Sequence, residues 1–288
     1  MAKKFGLLPA VEHGARLFLN RSGFESRYCS GRLHAFDARG QGTLPTTVVL
    51  HGLGSAATSF GPLLTRLRPH ARRVIAPDLP GHGFSEAPAG KMTPAALFGA
   101  AAEALDDVAD EPMLLVGSSL GGALALRYAL ERPERVAALA LVSPAAARTT
   151  AEEWAQLRGH FDVDSASAAL RLLGRLYHRR PWFAPLVAAG FRDVLGRAAI
   201  RDLLAAVTLD DFPAPERLPT LPMPILLIWG QSERLLPPSA LAYFKRHLPA
   251  HAVIEEPAGL GHCAHLDDPA RLAARVVEFA RGAPPPVR

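Results

Sequence analysis

Two cysteines, Cys29 and Cys263, are all that the 288 residues contain. That is too few for a disulfide framework and suits a reducing compartment, so the cytoplasm is the expected location. No stretch reaches the roughly 18 to 20 uninterrupted apolar residues that a bilayer span requires. The apolar residues after Met1-Ala2-Lys3-Lys4 are broken by Glu12, His13 and Arg16 and lack a small-residue cleavage site, so no secretory leader is expected. Aromatic residues make up only 7% of the chain and do not interleave with basic clusters, which speaks against a nucleic-acid partner. No spacing of His, Cys, Asp or Glu suggests a metal site, and neither a metal nor an organic cofactor is expected.

A composition of 49% hydrophobic and 20% charged residues is that of an ordinary globular protein with a substantial core. Most of the net charge of +5 lies in residues 1–40, where seven Lys/Arg face three Asp/Glu. There Leu7, Leu8, Val11, Ala15, Phe18 and Leu19 share one helical face, so residues 1–22 are expected to form an amphipathic helix. Two uses fit it: docking on its own domain, or peripheral contact with an anionic membrane or a partner.

Beyond this helix, short apolar runs alternate with helical segments, the pattern of an α/β fold whose mostly parallel sheet carries helices on both faces. Strands are expected near Leu33–Phe36, Val48–His51, Val74–Pro77, Met113–Gly117, Val136–Val142, Ile225–Gly230 and Ala252–Glu255. Helices are expected over Phe60–Leu67, Pro94–Val108, Leu120–Arg132, Ser239–His247 and Pro269–Ala280. Between about Ala145 and Leu221 the alternation stops, and segments such as Ala168–Tyr177 and Ala198–Val207 read as helices without intervening strands. Residues 145–221 are therefore expected to be a helical lid inserted into a core of residues 23–144 and 222–288, placed at the strand ends where open α/β sheets bind ligands. Its ten Arg against nine Asp/Glu give no reason to expect a strongly anionic substrate.

Gly117-Ser118-Ser119-Leu120-Gly121 lies between an expected strand and an expected helix. In that setting the turn is tight enough to strain the central Ser and leave its hydroxyl at the helix N-terminus, where free N–H groups favour developing negative charge. Ser119 is the expected nucleophile. A weak hydroxyl nucleophile needs a base, and His262, between a late strand and the last helix, has the right place in chain order. His265, three residues on, reads as a surface or capping residue, and His51 and His82 belong to other elements. The imidazole should be oriented by a carboxylate. Glu233, in the loop Trp229–Pro237 after a strand, occupies the favoured position. Asp210 and Asp211 belong to the lid exit, Asp267 and Asp268 look like a helix start, and a surface pair of Glu233 with Arg234 is the plainer alternative. For the oxyanion, the N–H of Leu120 follows the nucleophile, and Leu53 in His51-Gly52-Leu53-Gly54 is the second expected donor.

Taken in order, these motifs resemble the α/β-hydrolase fold superfamily over nearly the whole chain outside the lid. Asp78-Leu79-Pro80-Gly81-His82-Gly83-Phe84-Ser85 looks like that family's loop after its fourth strand, which implies a largely architectural role for it. Trp229-Gly230 and Gly261-His262 match the acid and histidine loops. The family usually has Asp where this chain has Glu233. A serine at the elbow disfavours the epoxide hydrolases and haloalkane dehalogenases, which use a carboxylate nucleophile. The resemblance implies attack by Ser119 on an acyl carbonyl, an acyl-enzyme, and hydrolysis without cofactor. Lid and basic N-terminal helix look like those of an esterase or monoacylglycerol-lipase-like member acting on a small-molecule ester. A carbon–carbon bond hydrolase of ring-cleavage products and a non-catalytic small-ligand receptor on the same fold are the alternatives.

Overall fold

The computed structural model describes residues 7–30 and 33–283. Eight strands form one sheet in the order β1-β2-β4-β3-β5-β6-β7-β8. They are β1 (Glu25–Cys29), β2 (Leu33–Arg39), β3 (Thr47–Leu50), β4 (Arg73–Pro77), β5 (Met113–Ser118), β6 (Val136–Val142), β7 (Ile225–Ile228) and β8 (Val253–Glu255). β1 and β2 pair antiparallel, as do β2 and β4; every other neighbour is parallel. This is the expected mostly parallel α/β sheet.

The centre of the sheet is buried on both faces, so its strands read as unbroken apolar runs. All seven residues of β6 are buried. Successive side chains point to opposite faces: Leu139 and Leu141 enter one core with Leu115 of β5, while Ala138, Ala140 and Val142 enter the other with Leu114 and Val116. The first core is closed by α3 (Pro94–Val108), α4 (Leu120–Glu131) and α9 (Pro238–His247), the second by α2 (Gly61–Leu67) and α11 (Pro269–Gly282). α3 begins where Thr93 caps it by accepting from the Ala96 N–H, with Pro94 in the first turn, an arrangement that satisfies an otherwise orphaned donor.

One strand is new and several boundaries shift, β2 running on from the expected Phe36 to Arg39. β1 was not among the expected strands, because Glu25-Ser26-Arg27-Tyr28-Cys29 is an edge strand with only Cys29 buried and carries little apolar signal. β7 ends at Ile228 rather than Gly230. The first helix, α1, runs from Leu7 to Arg21; the rest of the expected 1–22 element, Lys3 and Lys4 included, lies outside the described residues. α1 docks on its own chain: Leu19 is buried with Phe24, Phe36 and Phe60, while Val11, Leu17 and Phe18 stay exposed.

Between β6 and β7 stand four helices, α5 (Ala151–Gly159), α6 (Ala166–Leu176), α7 (Ala184–Leu195) and α8 (Ala198–Ala206). α5 opens with a reciprocal Thr150/Glu153 capping box. α6 and α7 pack through Ala169, Leu173, Ala184 and Ala188, and α7 also packs on α1. No helix among the described residues is long and apolar enough to cross a membrane. The short α10 (Ala264–Asp267) precedes α11.

Candidate active site

β3 leads back to β4 on one side while β5 lies on the other, so a crevice opens at the C-terminal ends of β3 and β5, where ligands bind in open α/β sheets. Ser119 stands there between β5 and α4 with φ 53° and ψ −116°. A non-glycine residue at positive φ is strained. The strain is held by neighbours: the Ser119 N–H donates to Val142 O at 3.0 Å, and its carbonyl accepts from Ala123 and Ala145 N–H, each at 3.0 Å. Turning the chain this sharply leaves no room for flanking side chains. A Cβ at Gly117 would lie 2.5 Å from Gly121 O, and one at Gly121 would lie 2.3 Å from Leu50 O.

The structure brings Glu233 and His262 together. The loop after β7 turns at Gly230, whose carbonyl accepts from the Glu233 N–H at 2.9 Å. Oε2 of Glu233 then faces His262 Nδ1 at 2.8 Å, and Oε1 accepts from the backbone N–H of Leu235 at 2.8 Å and of Leu236 at 3.1 Å. Both side chains are buried. Burial pushes the Glu233 carboxyl up, but the adjoining imidazole and the hydrogen bonds outweigh it and hold the group below the usual carboxylate range. Ser143, itself at a φ of 40°, adds to this from close by, although its hydroxyl makes no well-formed hydrogen bond. A surface pair of Glu233 with Arg234 is not formed; Arg234 instead donates to the carbonyls of Tyr177 and His178.

Leu53 and Leu120 flank Ser119 along the crevice wall, and among the described residues neither N–H has a protein acceptor. The turn carrying Leu53 is fixed by His51. Its Nδ1–H donates to Gly52 O at 2.8 Å and its Nε2 accepts from Leu79 N–H at 2.9 Å, which defines one neutral tautomer. Burial accordingly holds the His51 imidazole below its ordinary value. Asp78 braces the same region from below. Fully buried, it accepts from His34 Nδ1, Ala57 N–H and Phe84 N–H, contacts that outweigh burial and keep it below the usual range.

His265 is not the surface or capping residue the sequence suggests. It is buried and stacks on Phe60 at 3.7 Å between ring centroids, and burial lowers it to about 3. Asp268 does cap a helix, accepting from Arg271 N–H. Asp267 does something that no local pattern announces: its two oxygens accept from Gly261 N–H at 2.7 Å and His178 N–H at 2.9 Å. It therefore ties the histidine loop to the end of α6. Cys263 N–H reinforces the tie by donating to Leu176 O at 2.8 Å, while a 2.7 Å contact between His178 Nδ1 and Ser232 Oγ links the same segment to the loop bearing Glu233. Asp210 and Asp211 sit in a capped turn at the exit of the inserted helices, far from this pairing in their bonding.

Ser119 stands where two cavities meet. One, of about 880 Å³ including the space open to solvent, is almost wholly apolar, lined by Leu97, Phe98, Leu124, Trp154, Leu157 and Leu203 among others. The second, about 1510 Å³ with its open mouth, contains His262 and is walled by α1 and α7 through Val11, Glu12, Val187 and Phe191. Leu53, Ser119, Phe161 and Leu235 belong to both. Among the described residues no group of three His, Cys, Asp or Glu is arranged to hold a metal.

The chain belongs to the alpha/beta hydrolase family, which residues 47–275 match. It is 30% identical over 260 residues to a pimeloyl-[acyl-carrier protein] methyl ester esterase of Xanthomonas oryzae pv. oryzae, covering 83% of this chain and 96% of the relative. Among solved structures it resembles a membrane phospholipase A, with a TM-score of 0.80 and 23% identity over 96% of this chain and 93% of that one. It also resembles 2-hydroxy-6-oxo-6-phenylhexa-2,4-dienoate hydrolase from Rhodococcus sp. strain RHA1, with a TM-score of 0.77 and 24% identity over 90% and 99%. The two structural likenesses show a shared fold and no more.

Proposed function

We propose that this protein is a serine hydrolase of carboxylic esters, with Ser119 as nucleophile, His262 as general base and then acid, and Glu233 as the acid that orients it. The observation that carries the reading is the 2.8 Å contact between a locked Glu233 and His262 Nδ1, in a crevice shared with a strained serine. With Nδ1–H donating to Glu233, the other ring nitrogen is left free to take the Ser119 proton as Oγ attacks the acyl carbon. The backbone N–H groups of Leu53 and Leu120 receive the oxyanion. His262 returns the proton to the departing alkoxide, and water activated by the same imidazole releases the acid. Residues 145–221 act as the cap over this crevice.

The two cavities take the two arms of the ester. The leaving oxygen must lie within reach of His262, and His262 borders only the larger cavity, so the alcohol belongs there and the acyl chain occupies the apolar cavity. The ester-cleaving relative in Xanthomonas supports this class of reaction. A ring-cleavage product would bring a carboxylate into the site. That carboxylate belongs to the leaving arm, hence to the larger cavity, where Arg197 already faces Glu12. In the apolar cavity Arg127 is engaged by Glu131 and the Phe98 ring, and Arg158 shares the wall with Asp211, so an ester without a second carboxylate is the better fit.

Hydrolysis of p-nitrophenyl esters from acetyl to dodecanoyl, by the protein and by Ser119→Ala, tests the reading. Turnover that vanishes in the variant, with an optimum above acetyl, is expected. Equal inactivity of both proteins across the series would overturn ester hydrolysis.

A further inference from the structure

At the mouth of the larger cavity the chain exposes more apolar surface than a soluble rim needs. Trp182 is 87% exposed and Leu186 59%, and Phe183, Val11 and Leu266 are exposed as well. Phe183, Val11 and Leu266 also line the cavity, so the patch and the opening are one surface. Trp182 meets Phe183 edge-on. Directly before them come Arg179 and Arg180, both exposed and, among the described residues, without a hydrogen-bond or ion-pair partner. Asp267, the carboxylate in the groove beside Arg179, already has both oxygens engaged by backbone N–H groups.

Arg-Arg-Pro-Trp-Phe followed by Leu186 combines unpaired cations with an indole and an apolar tip. We propose that this rim seats the protein on an anionic lipid bilayer, so that the cavity holding Ser119 and His262 opens onto the lipid surface. Indole rings favour the headgroup level, Phe and Leu enter the acyl boundary, and the arginines meet the phosphates. A second copy is a poorer occupant: a two-fold contact would set the same patch on itself and bring Arg179 and Arg180 against their own counterparts. The contact expected through residues 1–22 is thereby extended to the segment between α6 and α7, with α1 contributing Val11.

The test uses full-length Ser119→Ala protein, so that lipid turnover plays no part and the outcome is independent of the ester reading. Binding is measured by co-sedimentation with vesicles of phosphatidylcholine alone and with added phosphatidylglycerol. Binding to the anionic vesicles, with a blue shift of indole fluorescence, is expected. Adding Arg179→Ala and Arg180→Ala should weaken it about fivefold per arginine, and adding Trp182→Ala about tenfold, with melting temperatures unchanged. Failure of the parent to bind anionic vesicles would overturn the proposal, as would equal binding by the Trp182→Ala protein. A concentration-dependent dimer that Trp182→Ala dissolves, without vesicle binding, would overturn it in favour of a second copy.

Discussion

In Glu233→Gln, the backbone N–H groups of Leu235 and Leu236 still require an acceptor at the position now held by Oε1. The amide oxygen must take that place, since turning it away would leave two buried donors unsatisfied at about 1–3 kcal/mol each. The amide nitrogen then occupies the Oε2 position, 2.8 Å from His262 Nδ1, and presents a donor where an acceptor stood. His262 can answer only by making Nδ1 the acceptor and carrying its proton on Nε2, the tautomer that cannot accept a proton from Ser119. By analogy with the corresponding change in serine proteases, kcat should fall about 10⁴-fold, equivalent to about 5.4 kcal/mol of barrier, with little change in KM. Steady-state hydrolysis of p-nitrophenyl acetate, with a thermal melt to show that the fold persists, measures it. A loss smaller than tenfold would refute the tautomer argument and remove Glu233 from the triad.

Ser119→Gly should abolish turnover while stabilising the fold by about 1 kcal/mol, because glycine accepts the positive φ that strains serine; the urea midpoint should rise with an unchanged slope. Ala123 borders the apolar cavity, so Ala123→Trp should suppress hydrolysis of long acyl esters and spare acetate, and an unchanged chain-length profile would place the acyl chain elsewhere. His265→Leu should make the protein less acid-sensitive. The wild-type imidazole titrates near 3 folded against 6.5 unfolded, so below pH 6.5 the unfolded chain binds the extra proton, and stability falls progressively until the folded value is reached. At pH 5 that loss is about 2 kcal/mol, so the fall in melting temperature from pH 7.5 to pH 5 should be smaller in the variant, with the buried His82, also lowered to about 3, keeping its own share.

β6 and α3 coincide with their apolar patterns because burial on the sheet and on one helix face is written locally in Val136–Val142 and Pro94–Val108. β1 escaped because an edge strand need not be apolar. The serine turn is legible for the same local reason: Gly117, Ser119 and Gly121 create their own geometry. Glu233 and His262 were expected to meet because each lies in a loop after a late strand, and β7 and β8 are indeed parallel neighbours, but the two backbone donors behind Glu233 belong to the fold of its loop and leave no mark on residue type. The misreading of His265 has a related cause, since its exposure depends on which side of α10 meets Phe60. Nor could the sequence divide the crevice in two, because Phe161 and Leu235 form that boundary only once the inserted helices are packed.

The stitching of residues 176–178 bears on how freely the inserted helices can be exchanged. Leu176, Tyr177 and His178 hold the loop bearing His262 and the loop bearing Glu233 at the same time, through Cys263, Asp267, Ser232 and Arg234. A chimera that replaces residues 145–221 with the helices of another hydrolase would remove that strut along with the substrate wall. Transplants that retain 176–178 should inherit a working base and acid, whereas wholesale swaps should lose rate on every substrate alike. On the proposed function, the part that selects the ester and the part that aligns the chemistry are not separable modules.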